Sequence, residues 1–259
     1  MLSDLIPVVE EAGALALTHF GRLSAAEIAE KGHLDLVTVA DRAVEALISA
    51  RLGALFPEDG IYGEEGGRAA GTSGRVWVID PIDGTFNFVR GGIDWGVSVG
   101  LFADGRPVLG AVLQPARGRL FAGGPDVGAW LDGRPLAALS PFRAGIASAG
   151  LGLGGGQPVA DGMRAMAALR HGGRAMVRIG NCCTATMAEL ATGEIDGYVS
   201  CGESSWDVMG MWPVVTALGA VSTLEWADRG LEGRMRFLLG KPGFVAAFDE
   251  REIFGTDTI

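Results

Sequence analysis

Two aspartates and a threonine lie close together in the segment Asp80-Pro-Ile-Asp83-Gly-Thr85, directly after the apolar residues 76–79. The apolar run predicts a buried strand, and a lone carboxylate at the end of such a strand is costly to desolvate. The two carboxylates also repel each other, and the segment contains no Lys or Arg that would relieve the repulsion. A divalent cation would relieve both costs, and Mg²⁺ prefers oxygen ligands. The segment therefore predicts a magnesium site.

The same segment ends in a favourable position for an anion. Thr85 begins a predicted short helix, so the backbone N–H groups of Gly84 and Thr85 would be available to phosphate. Further carboxylates stand in Gly63-Glu64-Glu65-Gly66 and in Ser205-Trp206-Asp207. Cations held by carboxylates beside a bound phosphate polarise its oxygens and activate water, so the three segments together predict phosphoryl transfer. The hexapeptide alone would fit a strand-ending turn with a helix cap equally well.

Two kinds of element must position these side chains. The first half combines helices with antiparallel hairpins: helices at 2–20 and about 41–55, and hairpins at 95–113 and 128–136. The second half alternates strands at 145–149, 175–179 and 195–200 with helices at 159–170, at 184–191 and from about 207. We therefore expect an α+β half at residues 1–140, which carries most of the carboxylates, and an α/β half at 141–259, with one cleft between them.

Composition narrows the range of functions. The chain has 259 residues, 48% of them hydrophobic and 20% charged, as in a globular protein with a substantial core. A net charge of −10 without any basic run disfavours direct binding to nucleic acid. The chain shows no signal peptide, no apolar stretch of transmembrane length and no cysteine framework, so we expect a cytoplasmic protein without membrane association. Three histidines are too few for a histidine-rich metal site.

The motifs resemble those of the inositol monophosphatase family, which comprises lithium-sensitive, magnesium-dependent phosphatases. The similarity extends over nearly the whole chain, in the blocks Asp35-Leu-Val-Thr-Val-Ala-Asp41, Gly63-Glu64-Glu65, 77–88, Ala191-Thr-Gly193 with Asp196, and Trp206-Asp207-Val208. The resemblance implies a layered α-β-α-β-α sandwich of the inositol monophosphatase and fructose-bisphosphatase type. It also implies a homodimer and Mg²⁺-dependent hydrolysis of a small phosphorylated alcohol such as inositol 1-phosphate.

Metal ligands follow from the same resemblance. Glu64, Asp80 and the carbonyl of Ile82 would bind one magnesium ion. Asp80, Asp83 and Asp207 would bind a second, with two or three ions in each active site. Lys31, just upstream of the first block, would serve a peripheral ion or the phosphate.

The resemblance implies catalytic roles for Asp41, Thr85 and Glu64. Thr85, hydrogen-bonded to Asp41, would orient the water that attacks phosphorus. This pairing is chemically sensible, because a carboxylate that accepts the hydroxyl proton leaves the threonine oxygen free to accept from water. Gly84 and Thr85 would donate their backbone N–H groups to the phosphate.

The chain differs from the family's pattern where the alcohol would bind. Many members have a glutamate seven residues before the last aspartate, and here that position is Ser200. Glu203 is the candidate replacement. Residues 180–184 replace a Gly-Ser/Thr-Ala stretch, which makes Asn181 a second candidate substrate contact. The sequence thus predicts the reaction but not which alcohol carries the phosphate.

Alternatives and misleading motifs remain. Val89-Arg90-Gly91 followed by Trp95 resembles family members that act on histidinol phosphate, although Arg90 would fit a surface position equally well. A regulatory binding protein that retains the phosphatase fold is a further alternative. Gly150-Leu-Gly-Leu-Gly-Gly155 matches a dinucleotide fingerprint but lacks the acidic residue about 20 positions later. We interpret it as a loop at the cleft edge, and Cys182-Cys183 as small buried residues at a helix start.

Overall fold

Two β-sheets and the helices packed against them form the structure. The computed structural model describes residues 1–32, 35–154, 158–171 and 174–255. The helices are α1 (Leu2–His19), α2 (Val39–Leu55), α3 (Thr85–Val89), α4 (Val159–Arg170), α5 (Cys183–Ala191), α6 (Ser205–Met209), α7 (Trp212–Ala217), α8 (Trp226–Arg229), α9 (Pro242–Ala247) and α10 (Glu250–Phe254). Of the helices in these ranges, none combines the length and the hydropathy needed to span a bilayer.

The strands range in length from two to nine residues. They are β1 (Ile28–Gly32), β2 (Asp35–Thr38), β3 (Gly60–Gly63), β4 (Gly67–Ala69), β5 (Val76–Asp83), β6 (Gly96–Ala103), β7 (Arg106–Gln114), β8 (Arg119–Gly124), β9 (Gly128–Leu131), β10 (Arg134–Pro135), β11 (Ser148–Gly152), β12 (Met176–Arg178), β13 (Gly197–Glu203), β14 (Val221–Ser222) and β15 (Met235–Gly240).

Sheet topology differs between the two halves of the chain. The first half forms an eight-stranded sheet in the order β10-β9-β8-β7-β6-β5-β3-β4, antiparallel except for the β3–β5 pair. The second half forms a five-stranded sheet in the order β12-β11-β13-β15-β14, in which β11 runs parallel to β12 and β13. Strands and helices alternate along this half as expected. The sheet is mixed and not purely parallel, because β15 runs antiparallel to β13.

Five layers result from the packing of these elements. Helices α1 and α2 cover one face of the large sheet, and a core of their apolar side chains lies beneath them. Helices α5, α6 and α7 lie between the two sheets in a second core. Helices α4, α9 and α10 cover the outer face of the small sheet. The order of layers is α-β-α-β-α, as the resemblance implied.

Strand β5 extends further than the sequence predicted. It continues through Pro81 to Asp83 and does not stop at Asp80. Its pairing with β6 matches Asp80 with Ser98 and Asp83 with Gly96, so β5 carries one extra residue there. A proline is tolerated at such a bulge because it has no N–H to offer the ladder. The bulge places both aspartates on a rigid, buried strand end.

The first part of the glycine-rich segment was also predicted incorrectly, whereas Leu153 and Gly154 are irregular and line the cavity as the loop prediction expected. Strand β11 begins at Ser148 and includes Gly150 and Gly152, which the sequence assigned to a loop, whereas 144–146 form a short 3₁₀ turn. A Cβ at Gly150 would lie 2.2 Å from Cγ2 of Thr186. The glycine thus allows α5 to approach the sheet closely. Gly155, the last residue of the dinucleotide-like motif, lies outside the described residues.

A buried carboxylate fixes the loop before β5. Asp59 is 8% exposed and accepts hydrogen bonds from Ser73 Oγ (2.6 Å), Arg75 Nε (2.9 Å) and Trp77 Nε1 (3.0 Å). Burial raises the pKa of Asp59, but the bonds from these three donors outweigh burial and hold it below its usual value. Ionised Asp59 therefore stabilises the fold above its unfolded-state pKa, and this contribution is lost as the pH falls through the lower folded-state pKa.

Asp59→Asn is expected to lower the free energy of unfolding by about 1–3 kcal/mol near neutral pH, because buried donors lose a charged acceptor. The difference from the wild type should shrink as the pH falls below about 4, where the unfolded chain binds the proton. Urea unfolding at several pH values measures both effects. The exposed Asp126→Asn serves as the control, and an equal loss at all pH values would contradict this explanation.

Candidate active site

A cavity of about 900 Å³ opens between the carboxylate-bearing ends of β5 and β13. Asp80, Asp83 and Thr85 line it from the first half of the chain, and Glu203 and Asp207 line it from the second half. The segments that the sequence singled out for chemistry therefore meet in one place.

Three carboxylates form the centre of this site. Ligand oxygens of Asp80, Asp83 and Asp207 lie within 4.8 Å of one another. Asp80 is 1% exposed, and its Oδ1 has no hydrogen-bond partner among the described residues. Burial, followed by the charges of Glu64, Asp83 and Asp207, raises the pKa of Asp80 well above its usual value. A buried oxygen without a donor, facing other carboxylates, is the environment that a divalent cation would stabilise.

Asp83 is held by the first turn of α5. Thr184 donates both its backbone N–H and its hydroxyl to Asp83 Oδ2, each at 2.5 Å. Cys183 N donates to the other oxygen at 3.3 Å, and Cys182 Sγ lies 3.0 Å from Oδ2. Burial raises the pKa of Asp83, and these donors oppose the rise. The sequence did not indicate this role for Thr184, because about a hundred residues separate the partners.

Thr184→Val is expected to weaken Mg²⁺ affinity about tenfold, because Asp83 would lose one of the donors that orient it. Activity at saturating Mg²⁺ should change much less. Mg²⁺ titrations of activity, and of thermal stability, measure the effect, and Thr184→Ser should restore it. Thr216→Val, which removes a hydroxyl bonded to the Trp212 carbonyl at 3.0 Å, is the matched control. Equal affinities in Thr184→Val and the wild type would exclude the positioning role.

Asp207 occupies the first turn of α6. Its Oδ2 accepts the backbone N–H of Ser204 at 2.5 Å, which closes a capping box at the helix start. Burial, followed by the charge of Glu203 and then that of Asp83, raises the pKa of Asp207 well above its usual value. The helix start thus orients a carboxylate that remains under repulsion from its neighbours.

Glu64 lies at the edge of the carboxylate cluster, paired with a lysine. Lys31 Nζ lies 2.7 Å from Oε1 of Glu64 and 2.7 Å from Oε1 of Glu65. Burial raises the pKa of Glu64 to about 7, although the Lys31 charge lowers it. Glu45, which the sequence did not single out, accepts the backbone N–H groups of Glu65 (2.8 Å) and Gly66 and so fixes this loop. Lys31 therefore supplies the positive charge that Glu64 faces in this structure.

Thr85 and Asp41 are in contact, as expected. Thr85 Oγ1 lies 3.3 Å from Asp41 Oδ1 and 2.9 Å from the carbonyl of Ile82. The other Asp41 oxygen accepts the backbone N–H (2.8 Å) and hydroxyl (2.6 Å) of Thr38, which caps α2. Burial raises the pKa of Asp41, and the Thr38 bonds oppose this. The hydroxyl of Thr85 thus has two acceptors for its single proton.

Gly84 sits where no side chain fits. Its φ is +82°, and a Cβ there would lie 2.8 Å from the carbonyl oxygen of Asp94 and 3.0 Å from Cys182 Cβ. The left-handed backbone and these two contacts therefore require glycine at this position, which lines the cavity. Binding of phosphate by the backbone N–H groups of Gly84 and Thr85 stays a prediction.

The model of the inositol monophosphatase family matches residues 2–252. The chain belongs to this family of phosphatases. An inositol-1-monophosphatase of Rhizobium meliloti is 31% identical over 231 residues, covering 86% of this chain and 85% of that protein. A histidinol-phosphatase of Chlorobaculum parvum is 40% identical over 131 residues, covering 51% of this chain and 50% of that protein. The crystal structure of extragenic suppressor protein suhB from Bartonella henselae matches with a TM-score of 0.86 at 21% identity, covering 99% of this chain and 98% of that chain.

Ser200, which stands where the family resemblance led us to expect a glutamate, has a structural role. Ser200 is fully buried, donates to the Met235 carbonyl (2.8 Å) and accepts the N–H groups of Gly202 (3.2 Å) and Glu203 (3.0 Å). Its hydroxyl therefore builds the irregular end of β13. Glu203 lines the cavity and accepts the Tyr198 hydroxyl at 2.5 Å, and burial raises its pKa. Glu203, the candidate replacement for the family's glutamate, thus lies at the bulged end of β13 and lines the cavity, and its contact with the alcohol stays a prediction.

Of the two other residues that the sequence singled out near the substrate, Asn181 lines the cavity and Arg90 does not. Asn181 lines the cavity with a φ of +52°, and the Asn87 amide approaches its carbonyl at 3.5 Å. Arg90 is exposed and lies outside the residues that line the cavity. The motif that resembled histidinol phosphatases therefore does not place Arg90 at this family member's cleft.

Proposed function

We propose that this protein hydrolyses a small phosphomonoester in a Mg²⁺-dependent reaction, with inositol 1-phosphate as the first candidate substrate. The buried cluster of Asp80, Asp83 and Asp207 supports the proposal most strongly, because its repulsion and the unpaired Asp80 oxygen suit a divalent cation.

Five oxygen donors would hold two or three Mg²⁺ ions: Glu64, Asp80, the Ile82 carbonyl, Asp83 and Asp207. Bound Mg²⁺ would supply Lewis-acid polarisation of the phosphoryl oxygens, activation of water and stabilisation of the leaving alkoxide. The chain's own contribution is to hold these oxygens on a bulged strand, in the turn after β3 and at the start of α6, so that little rearrangement is needed.

Residues beside the carboxylates would orient the reactants. Asp41 would accept the proton of the Thr85 hydroxyl, so that the Thr85 oxygen accepts a hydrogen of the attacking water. The backbone N–H groups of Gly84 and Thr85 would bind phosphate oxygens. Asn181 and Glu203 would contact the alcohol.

Phosphate release from a panel of inositol, sugar, nucleotide and histidinol phosphates tests the proposal. We expect turnover with Mg²⁺, none with a chelator, inhibition by Li⁺, and loss of turnover in Asp83→Asn. The exposed Glu10→Gln, which removes a charge from α1, should retain full activity. Absence of turnover on every ester would sink the enzymatic proposal and leave the regulatory binding role as the alternative.

Histidinol phosphate is the second candidate substrate. The similarity to the Chlorobaculum parvum protein favours it, although that similarity spans 51% of this chain. The ratio of kcat/KM for histidinol phosphate and inositol 1-phosphate distinguishes the candidates, and a ratio above about 10 would favour the second, since it corresponds to about 1.4 kcal/mol of transition-state preference.

We also expect a homodimer in a cytoplasmic location. The first expectation comes from the family resemblance, and the second is that of the sequence analysis. Sedimentation analysis tests the first, and fractionation of the producing cells tests the second.

A further inference from the structure

Part of the cavity lining outside the carboxylate cluster is an apolar wall. Leu153, at the end of β11, is 43% exposed, and Val159 and Met163 of α4 are 80% and 63% exposed. All three line the same cavity as the carboxylate cluster, together with the partly buried Met166. Exposed apolar side chains that are contiguous with a binding cleft mark a binding surface more often than isolated ones do.

The wall belongs to a fixed helix. Val159, Met163 and Met166 are spaced four and three residues apart, so they lie along one face of α4. The adjacent face carries Ala165 and Leu169, which are fully buried in the outer core. The core contacts therefore fix the direction in which the apolar face points, which is into the cavity.

A glycine adapts α4 to the end of β11. A Cβ at Gly162 would lie 2.5 Å from Cδ2 of Leu153, so only glycine lets the helix surface meet this side chain without displacing it. Leu153 thus packs against α4 and extends its apolar face. The wall is a continuous surface that joins a strand to a helix.

Hydroxyl groups would find few partners on the apolar wall itself, because the side chains of Leu153, Val159 and Met163 carry no oxygen or nitrogen. Glu203, which accepts the Tyr198 hydroxyl with Oε1, and Arg234, which donates to the Gly202 carbonyl at 3.2 Å, also line the cavity, and their remaining atoms can serve a hydroxyl that does not lie on the wall. Each substrate hydroxyl packed on the apolar wall would lose its water without replacement, which is unfavourable. A cavity of about 900 Å³ is also far larger than a phosphate group requires.

We propose that the preferred substrate is a phosphomonoester whose alcohol carries an apolar ring or branched chain, which packs against Leu153, Val159 and Met163. The inference rests on the proposed phosphatase function and specifies its substrate class. A cyclitol, with a hydroxyl on every ring carbon, is then a poorer substrate than an alcohol of the same shape without hydroxyls.

Cyclohexyl phosphate and inositol 1-phosphate form a matched pair for the test, because they share the six-membered ring and differ in its hydroxyls. We expect a higher kcat/KM for cyclohexyl phosphate in the wild type. Met163→Ser should lower this value about tenfold and change that for inositol 1-phosphate by less than about twofold. Met176→Ser is the matched control, since Met176 is 64% exposed on β12 and lies outside the cavity lining.

Two outcomes separate failure of this inference from failure of the proposed function. A preference for inositol 1-phosphate, with an equal effect of Met163→Ser on both esters, would overturn the apolar substrate class and leave the phosphatase intact. Absence of turnover on both esters would overturn the phosphatase. Calorimetric binding of both esters to a Thr85→Ala protein, with and without Met163→Ser, then decides the apolar preference independently: tighter, Met163-dependent binding of cyclohexyl phosphate upholds it, and equal binding overturns it.

Discussion

Asp80→Asn is expected to lower activity at least about a thousandfold and, without divalent cations, to make the protein more stable than the wild type. The activity falls because Asp80 is a proposed ligand of Mg²⁺, and loss of its carboxylate would forfeit several kcal/mol of transition-state stabilisation. The stability rises because Asp80 is 1% exposed and faces Glu64, Asp83 and Asp207 with an unpaired oxygen. Removal of one charge relieves both desolvation and repulsion, which we expect to be worth about 1–3 kcal/mol.

Thermal unfolding at about pH 8, with a chelator and then with increasing Mg²⁺, measures the stability of the cation-free protein and the stability gained from Mg²⁺. The unfolded chain carries an ionised Asp80 at this pH, whereas the raised pKa of Asp80 in the native protein means that folding without a cation must either bury the charge or bind a proton. The wild type should gain stability with Mg²⁺ as binding to the native state requires, whereas Asp80→Asn should gain little. Asp207→Asn should change in the same direction, and the exposed Glu10→Gln should follow the wild type. A chelated Asp80→Asn protein less stable than the wild type would show that the cluster is not under repulsion.

The carboxylate site was largely predictable because its information is local. Asp80, Asp83 and Thr85 share one hexapeptide, and Asp207 stands in a second short motif. An apolar strand that ends in carboxylates would fit a turn with a helix cap equally well, and the acidic segments around Glu64 and Asp207 make a cation the better explanation. The structure brings these groups into one cavity, while their roles as ligands and catalysts stay predictions.

Positioning residues were much harder to find. Thr184 contacts Asp83, and Glu45 holds the loop that carries Glu64. Both contacts exist only because the fold brings distant segments together. Neither residue has a neighbouring motif that would indicate its partner. The position of Glu203 in the cavity likewise depends on the bulge between β13 and β15, which alternation of apolar residues does not reveal.

Element boundaries failed where backbone geometry departs from the regular pattern. Residues 39–55 and 159–170 are helices close to the predicted positions, because apolar spacing indicates both and the Thr38 cap marks the start of the first. Strand β5 was predicted too short because Pro81 and the bulge conceal its continuation. Strand β11 was shifted because its glycines read as loop, although they permit the close approach of α5. Tertiary packing, and not local sequence preference, thus determined where β5 ends and where β11 lies.

Thr85→Ala is expected to lower kcat by about 10²–10⁴-fold with little change in KM, because the hydroxyl would act on the attacking water and not on the bound ester. Its oxygen lies 2.9 Å from the Ile82 carbonyl and 3.3 Å from Asp41, so one proton serves two acceptors. Orientation of water requires that the proton point to Asp41 or to the carbonyl and leave a lone pair towards the cavity. Thr85→Ser retains the hydroxyl and should recover most of kcat.

Thr85→Val separates the hydroxyl from the shape of the side chain. Valine preserves the volume and the backbone N–H that is proposed to bind phosphate, so product inhibition by phosphate should stay within about threefold of the wild type while kcat falls as in Thr85→Ala. Asp41→Asn should add little to the loss in Thr85→Val if the two side chains act as one unit. If the fold losses in kcat of the two single variants instead multiply in the double variant, Thr85 and Asp41 have independent roles. Because Thr38 donates to the other Asp41 oxygen through its backbone and its hydroxyl, the aspartate is held in place for this single contact.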